Sequence, residues 1–175
     1  MSKKIVVATS GASGVNLGLK TLQLLPNEIE KHFIMSTNSK TVLSKEMNDV
    51  TTHNNEDIGA SIASGSFGVD AMIIAPCSMN TLAKIACGIS DNLVTRCAAV
   101  MIKEQKKLIL APREMPFSAI ALENMQKLAA LGIIIAPPVM AYYSEQQTLD
   151  EMENFIIGKW FDLLGIENNL YKRWE

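Results

Sequence analysis

Cysteine, histidine and aromatic residues are scarce in this chain of 175 residues, at three, two and 6% respectively. Cys77, Cys87 and Cys97 recur at an interval of ten, which offers neither the close pairs of a zinc site nor an even-numbered disulfide framework. Reduced thiols acting as small apolar side chains are expected. An excess of one charge is also missing: sixteen Lys and Arg face eighteen Asp and Glu. No whole-chain field therefore favours nucleic acid or an anionic membrane, and any anion site has to be local. No apolar run approaches the roughly 18 residues of a membrane span. The run Ile5-Val6-Val7-Ala8 behind Met-Ser-Lys-Lys is too short for a signal-peptide core and reads as a first strand. A cytoplasmic location is the expectation that follows. Nor is there a Ser/Gly-rich linker, repeat or low-complexity tract, so residues 1–175 are expected to form one domain.

What the chain does have is 48% hydrophobic residues and a mean hydropathy of +0.15, enough for a continuous core. Short Val- and Ile-rich runs alternate with longer segments of helical period, the pattern of an α/β protein with a mostly parallel sheet. Strands are predicted near Lys4 to Thr9, Lys31 to Met35, Ala71 to Ala75, Leu108 to Ala111 and Ile133 to Ala136, each followed by Gly, Ser or Pro. Helices are predicted to start near Val15, Lys40, Thr81, Ser118 and Thr148, the last with a capping-box pattern, Thr148-Leu149-Asp150-Glu151. The polar stretch Glu46 to Asp57 reads as a surface loop. The final helix, about 148–165, carries Phe155, Ile156, Trp160, Phe161 and Leu164. Its broad apolar face packs on its own sheet or, as the two nearby Trp suggest, at a subunit interface.

The positions that carry chemistry follow the strands. After the first, Ser10-Gly11-Ala12-Ser13-Gly14 lets the backbone turn sharply and brings free N–H groups of the next helix toward an anion, as mononucleotide phosphates are held at such turns. A tight connection with no ligand is the plainer reading. Ser36 puts a hydroxyl at the end of the second strand, as ligand contact or helix cap. At the end of the third predicted strand, Pro76-Cys77-Ser78-Met79-Asn80 crowds small polar groups and a soft sulfur where a flat ring can rest. The next strand ends in Arg113-Glu114 between Pro112 and Pro116, a surface salt bridge or a stiffly held ligand contact. Arg96 and Lys103 form a second cationic pair or a solvated helix face.

Taken in order, Ser10-Gly11-Ala12-Ser13-Gly14, Met35-Ser36, Ser64-Gly65-Ser66-Phe67, Pro76-Cys77-Ser78-Met79, Asp91-Asn92-Leu93 with Arg96, Arg113-Glu114-Met115-Pro116 and Pro137-Pro138-Val139-Met140-Ala141-Tyr142-Tyr143 resemble the flavin prenyltransferases, the UbiX-like proteins that serve UbiD-type decarboxylases. The resemblance covers almost the whole chain. It implies a single-domain Rossmann/flavodoxin-like three-layer sandwich and a dodecameric, metal-free enzyme. That enzyme joins a dimethylallyl group, taken from dimethylallyl phosphate, to N5 and C6 of reduced flavin mononucleotide (FMN) and releases phosphate. It puts flavin binding on Gly11, Ala12, Ser13, Ser36, Cys77, Ser78, Met79, Asn80 and Arg113. The prenyl phosphate falls to Tyr143 and Lys159, with Arg96 and Lys103 completing the pocket. Proton handling falls to Ser13 and Glu46, the latter ten residues after Ser36. Lys159 stands where the family usually has Arg and lacks the bidentate fork that grips phosphate.

Two other readings use the same residues differently. Flavin-dependent cysteine decarboxylases share the fold and the Gly-Ser turn but employ a histidine base after the second strand; His32 falls within that strand and His53 in the polar loop, so both read as ordinary residues. A non-catalytic FMN carrier or assembly subunit needs the cradle without the second phosphate pocket.

Overall fold

The computed structural model describes residues 2–11, 13–35 and 49–174. Among them six strands, β1 Lys4–Ala8, β2 Glu30–Met35, β3 Val50–Asn54, β4 Ala71–Cys77, β5 Lys107–Pro112 and β6 Ile134–Ile135, form one sheet in the order β3-β2-β1-β4-β5-β6. Every pairing is parallel. The helices are α1 Val15–Leu24, α2 Met79–Ala86, α3 Leu93–Lys103, α4 Ala119–Ala130 and α5 Leu149–Leu164. None described is long and apolar enough to cross a membrane.

The sheet is apolar on both sides because alternate residues point to opposite faces and each face is covered. Ile5, Val7, Phe33 and Ile73 pack under α1 and α5. Val6, Ala8, Ile34, Met72 and Ile74 pack under α2, α3 and α4. The chain moves outward from β1 to β2 through α1 on one face, and from β4 to β5 and β6 through helices on the other. Right-handed crossovers that run in opposite directions must use opposite faces, so a three-layer sandwich follows.

The predicted strands are all present, but the sheet has a sixth. Val50-Thr51-Thr52-His53-Asn54, expected as part of a surface loop, pairs along Lys31 to Met35 as the edge strand β3. Its residues are exposed or half-buried, so it needs no apolar alternation. α3 is also additional to the predicted helix starts; its Asn92 side chain accepts from Thr95 N–H and the Thr95 hydroxyl reaches back to the Asn92 N–H. The helix expected near Lys40 lies outside the described residues. In α5 the Thr148–Glu151 capping box is present, and Phe155, Ile156, Trp160, Phe161 and Leu164 are buried within their own chain. The Trp160 indole donates to the Ala136 carbonyl at 3.0 Å, which leaves the outward side of the helix to Lys159 and Leu163, both exposed.

Gly18 sets how closely α1 approaches the sheet. A Cβ there would overlap the carbonyl oxygen of Ala75 and lie 2.7 Å from Cγ2 of Thr9. Overfilling a tight core costs about 1–3 kcal/mol. Gly18→Ala is expected to lower stability by about that amount, read as a lower denaturant midpoint with unchanged slope.

Candidate active site

Strand order reverses between β1 and β4, since β1 is followed toward β2 on one side and β4 toward β5 on the other. In parallel sheets a crevice opens at the carboxyl edge of such a reversal. A pocket of about 130 Å³ lies there: Ser10, Gly11 and Ser13 line it from the β1–α1 turn, Pro76, Cys77, Ser78 and Met79 from the end of β4, and Arg113 and Glu114 from the end of β5. The ten positions assigned from sequence to flavin binding or proton handling fall as follows. Gly11, Ser13, Cys77, Ser78, Met79 and Arg113 line the pocket. Asn80 is exposed on the first turn of α2 and is not among the lining residues. Ala12, Ser36 and Glu46 lie outside the described residues.

The turn has the shape an anion requires. Gly11 and Gly14 adopt φ of +106° and +88°, a left-handed backbone that glycine takes without strain. Ser10 fastens the turn to its neighbour: its N–H donates to the Pro76 carbonyl at 2.9 Å, and its hydroxyl accepts from the Ser78 N–H at 3.0 Å. α1 then begins at Gly14 with no side-chain cap, whereas Ser78, Asn92, Ser118 and Thr148 cap α2, α3, α4 and α5. The first N–H groups of α1 and the positive end of its dipole consequently face the crevice without a side-chain cap among the described residues. Arg113 lies across the same turn, its Nε donating to the Ser13 carbonyl at 3.3 Å. These residues fit the phosphate of a mononucleotide: a Gly-shaped cradle, an open helix start and one guanidinium.

Beside the cradle the β4 end is mostly neutral. Cys77 is fully buried, and burial pushes its thiol up to about 12, so it offers a polarizable surface and no thiolate. The Ser78 hydroxyl accepts from Thr81 N–H at 3.2 Å and donates to the Thr81 hydroxyl at 3.0 Å; capping α2 occupies it. Glu114 faces the pocket together with Arg113, and the signal for it in the sequence is the pair of prolines that brackets both.

The remaining positions fall elsewhere in the chain. Tyr143 is half exposed and stands edge-on to Phe155 and Trp174, with centroids 5.8 and 5.4 Å apart. With Ser144, Lys172, Arg173 and Trp174 it lines a pocket of about 380 Å³. The Lys159 ammonium lies 5.9 Å from the Tyr171 ring centre. Arg96 and Lys103 are exposed on α3, and Lys103 pairs with Glu104 at 3.0 Å. Because α3 covers one face of the sheet and α5 the other, a single chain holds Arg96 and Lys103 on the opposite side from Lys159. The tail residues Lys172 and Arg173 were not singled out from sequence; they are brought to Tyr143 only by the chain turning back after α5.

The histidines stand apart from the pocket. His53 is on β3 rather than in a loop, and its Nε2 is 3.1 Å from Nδ1 of buried His32, whose Nε2 is 3.0 Å from Glu30. Burial first, and His32 second, lower the pKa of His53.

Comparison with known proteins agrees with this geometry. The Flavoprotein family model matches residues 1–160. The flavin prenyltransferase UbiX of Helicobacter pylori is 50% identical, the match covering 98% of each chain. A dodecameric FMN-dependent UbiX-like decarboxylase from Escherichia coli superposes with a TM-score of 0.89 at 40% identity, over 98% of this chain and 99% of that one. AnUbiX in complex with FMN and dimethylallyl pyrophosphate superposes with a TM-score of 0.93 at 36% identity, over 100% and 98%. With an open α/β sheet, an uncapped anion cradle at its reversal point and identities of this extent, the chain belongs to the flavoprotein family and, within it, to the UbiX flavin prenyltransferases.

Proposed function

We propose that this protein moves a dimethylallyl group from dimethylallyl phosphate to N5 and C6 of reduced FMN, releases phosphate, and passes the prenylated flavin to a UbiD-type decarboxylase. The observation that carries the reading is the uncapped start of α1 beneath Arg113 at the strand reversal, a phosphate cradle with a neutral, small-residue wall beside it. Reduced FMN supplies the electron-rich ring that accepts the allyl group. The protein's own residues hold that ring and receive the charge that develops on the leaving phosphate.

Gly11, Ala12, Ser13 and Arg113 hold the nucleotide phosphate, and Ser36, Cys77, Ser78, Met79 and Asn80 border the ring. As the allylic carbon–oxygen bond breaks, negative charge grows on phosphate, and Arg96, Lys103, Tyr143 and Lys159 are the side chains we assign to stabilise it. Holding the donor against the ring removes much of the entropic barrier. Ser13 and Glu46 handle the proton lost from the ring. Since α3 and α5 lie on opposite faces of one chain, a shared pocket takes Arg96 and Lys103 from one copy and Tyr143 and Lys159 from another. Assembly is also supported by α4, which buries only Ala121 and Leu128 and leaves Ile120 and Leu122, with Leu131 just past its end, more than half exposed. A dodecamer, as its E. coli relative is described, with the outward side of α5 at a subunit contact, suits these surfaces. The three free cysteines accord with a cytoplasmic location.

The cysteine-decarboxylase reading loses its base, because His32 and His53 are engaged with each other and with Glu30. The carrier reading is separated by experiment. Protein incubated without oxygen with reduced FMN and dimethylallyl phosphate is expected to yield flavin heavier by one five-carbon prenyl unit by mass spectrometry. Bound flavin without that adduct would favour the carrier, and dimethylallyl pyrophosphate in a parallel reaction reports the phosphate count the pocket accepts.

Arg96→Ala and Lys159→Ala are each expected to keep FMN bound while slowing transfer by about 100-fold or more. Co-expressed as mixed assemblies, the two variants should recover part of the activity, because some junctions then hold both native cations. No recovery would place the two cations in the same copy. For the thiols, iodoacetamide at pH 8 is expected to leave Cys77 and Cys97 unmodified in the folded protein, burial having pushed each up to about 12, and to alkylate all three cysteines after denaturation, as intact mass will record.

A further inference from the structure

Beyond α5 the chain reverses at Gly165, whose φ is +69°, and runs back along the helix as a strap ending at Trp174. One carboxylate holds it. Asp162 accepts from the Tyr171 hydroxyl at 2.5 Å, from both terminal nitrogens of Arg173 at 3.1 and 2.8 Å, and from the Asn168 amide at 3.0 Å. Arg173 also donates to the Asn168 carbonyl at 3.2 Å. A planar guanidinium gripping a carboxylate with two parallel bonds is the strong form of ion pair, and this carboxylate is largely sheltered, its side chain 24% exposed.

The strap seats closely because residue 158 has no side chain. A Cβ on Gly158 would lie 2.5 and 2.8 Å from two carbons of the Tyr171 ring. Seated there, Tyr171 stands edge-on to Phe155 at 5.0 Å, and Phe155 in turn meets Tyr143. Trp174 also stands edge-on to Tyr143, and the Lys159 ammonium lies 5.9 Å from the centre of the Tyr171 ring. Tyr143 and Lys159 therefore both rest on a strap that Asp162 fastens.

We propose that Asp162 is a positioning residue for the prenyl-phosphate end of the site: it clamps the strap through Tyr171 and Arg173 and so sets the Tyr143 hydroxyl and the Lys159 ammonium for the donor. This assignment rests on the function proposed above. It predicts a role confined to the donor, since Asp162 is not among the residues that line the cradle at Gly11, Ser13 and Arg113.

Two variants reach the strap by different routes. Asp162→Asn keeps the shape of the side chain and removes the charge that holds Arg173. Gly158→Ala leaves Asp162 intact and pushes Tyr171 outward, while alanine favours the helix itself, so the fold is retained. Both are expected to raise KM for dimethylallyl phosphate about tenfold, to leave FMN affinity within about twofold, and to speed amide hydrogen exchange in residues 166–174. Asp162→Glu should restore part of the donor KM. Faster exchange in the strap with an unchanged donor KM would overturn the assignment and leave Asp162 as a structural clip. Unchanged exchange in both variants, or equal losses in donor and FMN binding, would overturn it too. An inactive wild-type protein would instead remove the donor-site reading, and the assignment with it, whereas a wild-type KM in an active Asp162→Asn protein removes the assignment alone.

Discussion

The cradle depends on a helix start that the protein leaves incomplete. Every other described α-helix has a Ser, Thr or Asn side chain folded onto its first turn, and such a cap is worth about 1 kcal/mol. α1 has a left-handed glycine instead. A missing cap costs some stability, and the N–H groups it leaves uncapped are the ones an anion binds. For this to work the turn must be rigid without a cap, and Ser10 supplies that rigidity by joining the β1–α1 turn to the end of β4 through Pro76 and Ser78. Arg113, reaching from β5 to the Ser13 carbonyl, completes a triangle of three adjacent strands around one pocket.

How much of this is visible in the sequence depends on whether a residue's role is local. β1, β2, β4, β5 and β6 are apolar because both faces are covered, and burial of that kind leaves a plain signature. β3 has none: Val50-Thr51-Thr52-His53-Asn54 lies at the sheet edge, where polar residues guard against pairing with another chain, and Asn and Asp around it resemble turn residues. α3 escapes for a related reason, since the reciprocal partner of Asn92 is Thr95 where the usual pattern has Glu or Gln.

The site divides in the same way. Gly11, Gly14 and the prolines around Arg113 and Glu114 alter the backbone where they stand, and their positions can be read directly. The occupation of the Ser78 hydroxyl by its own helix depends on where the chain turns. So does the arrival of Lys172 and Arg173 beside Tyr143, which requires the reversal at Gly165 and the bare surface of Gly158. Hydrogen bonds between Asp162 and residues nine and eleven positions further on have no periodic signature at all.

The sheet stands between Arg96 and Lys103 on α3 and Lys159 on α5. The helices α2 and α3 between β4 and β5 cover one face, and α5, which follows the last strand, packs with α1 on the other, so α3 and α5 do not share a side. A phosphate that needs cations from both helices therefore needs more than one chain, and the protein's near balance of acidic and basic residues leaves no strong net repulsion against bringing copies together. On the proposed reading, assembly and catalysis are linked: the sheet whose strand reversal builds the nucleotide cradle also stands between α3 and α5, so a lone chain does not complete the receptor for the leaving group.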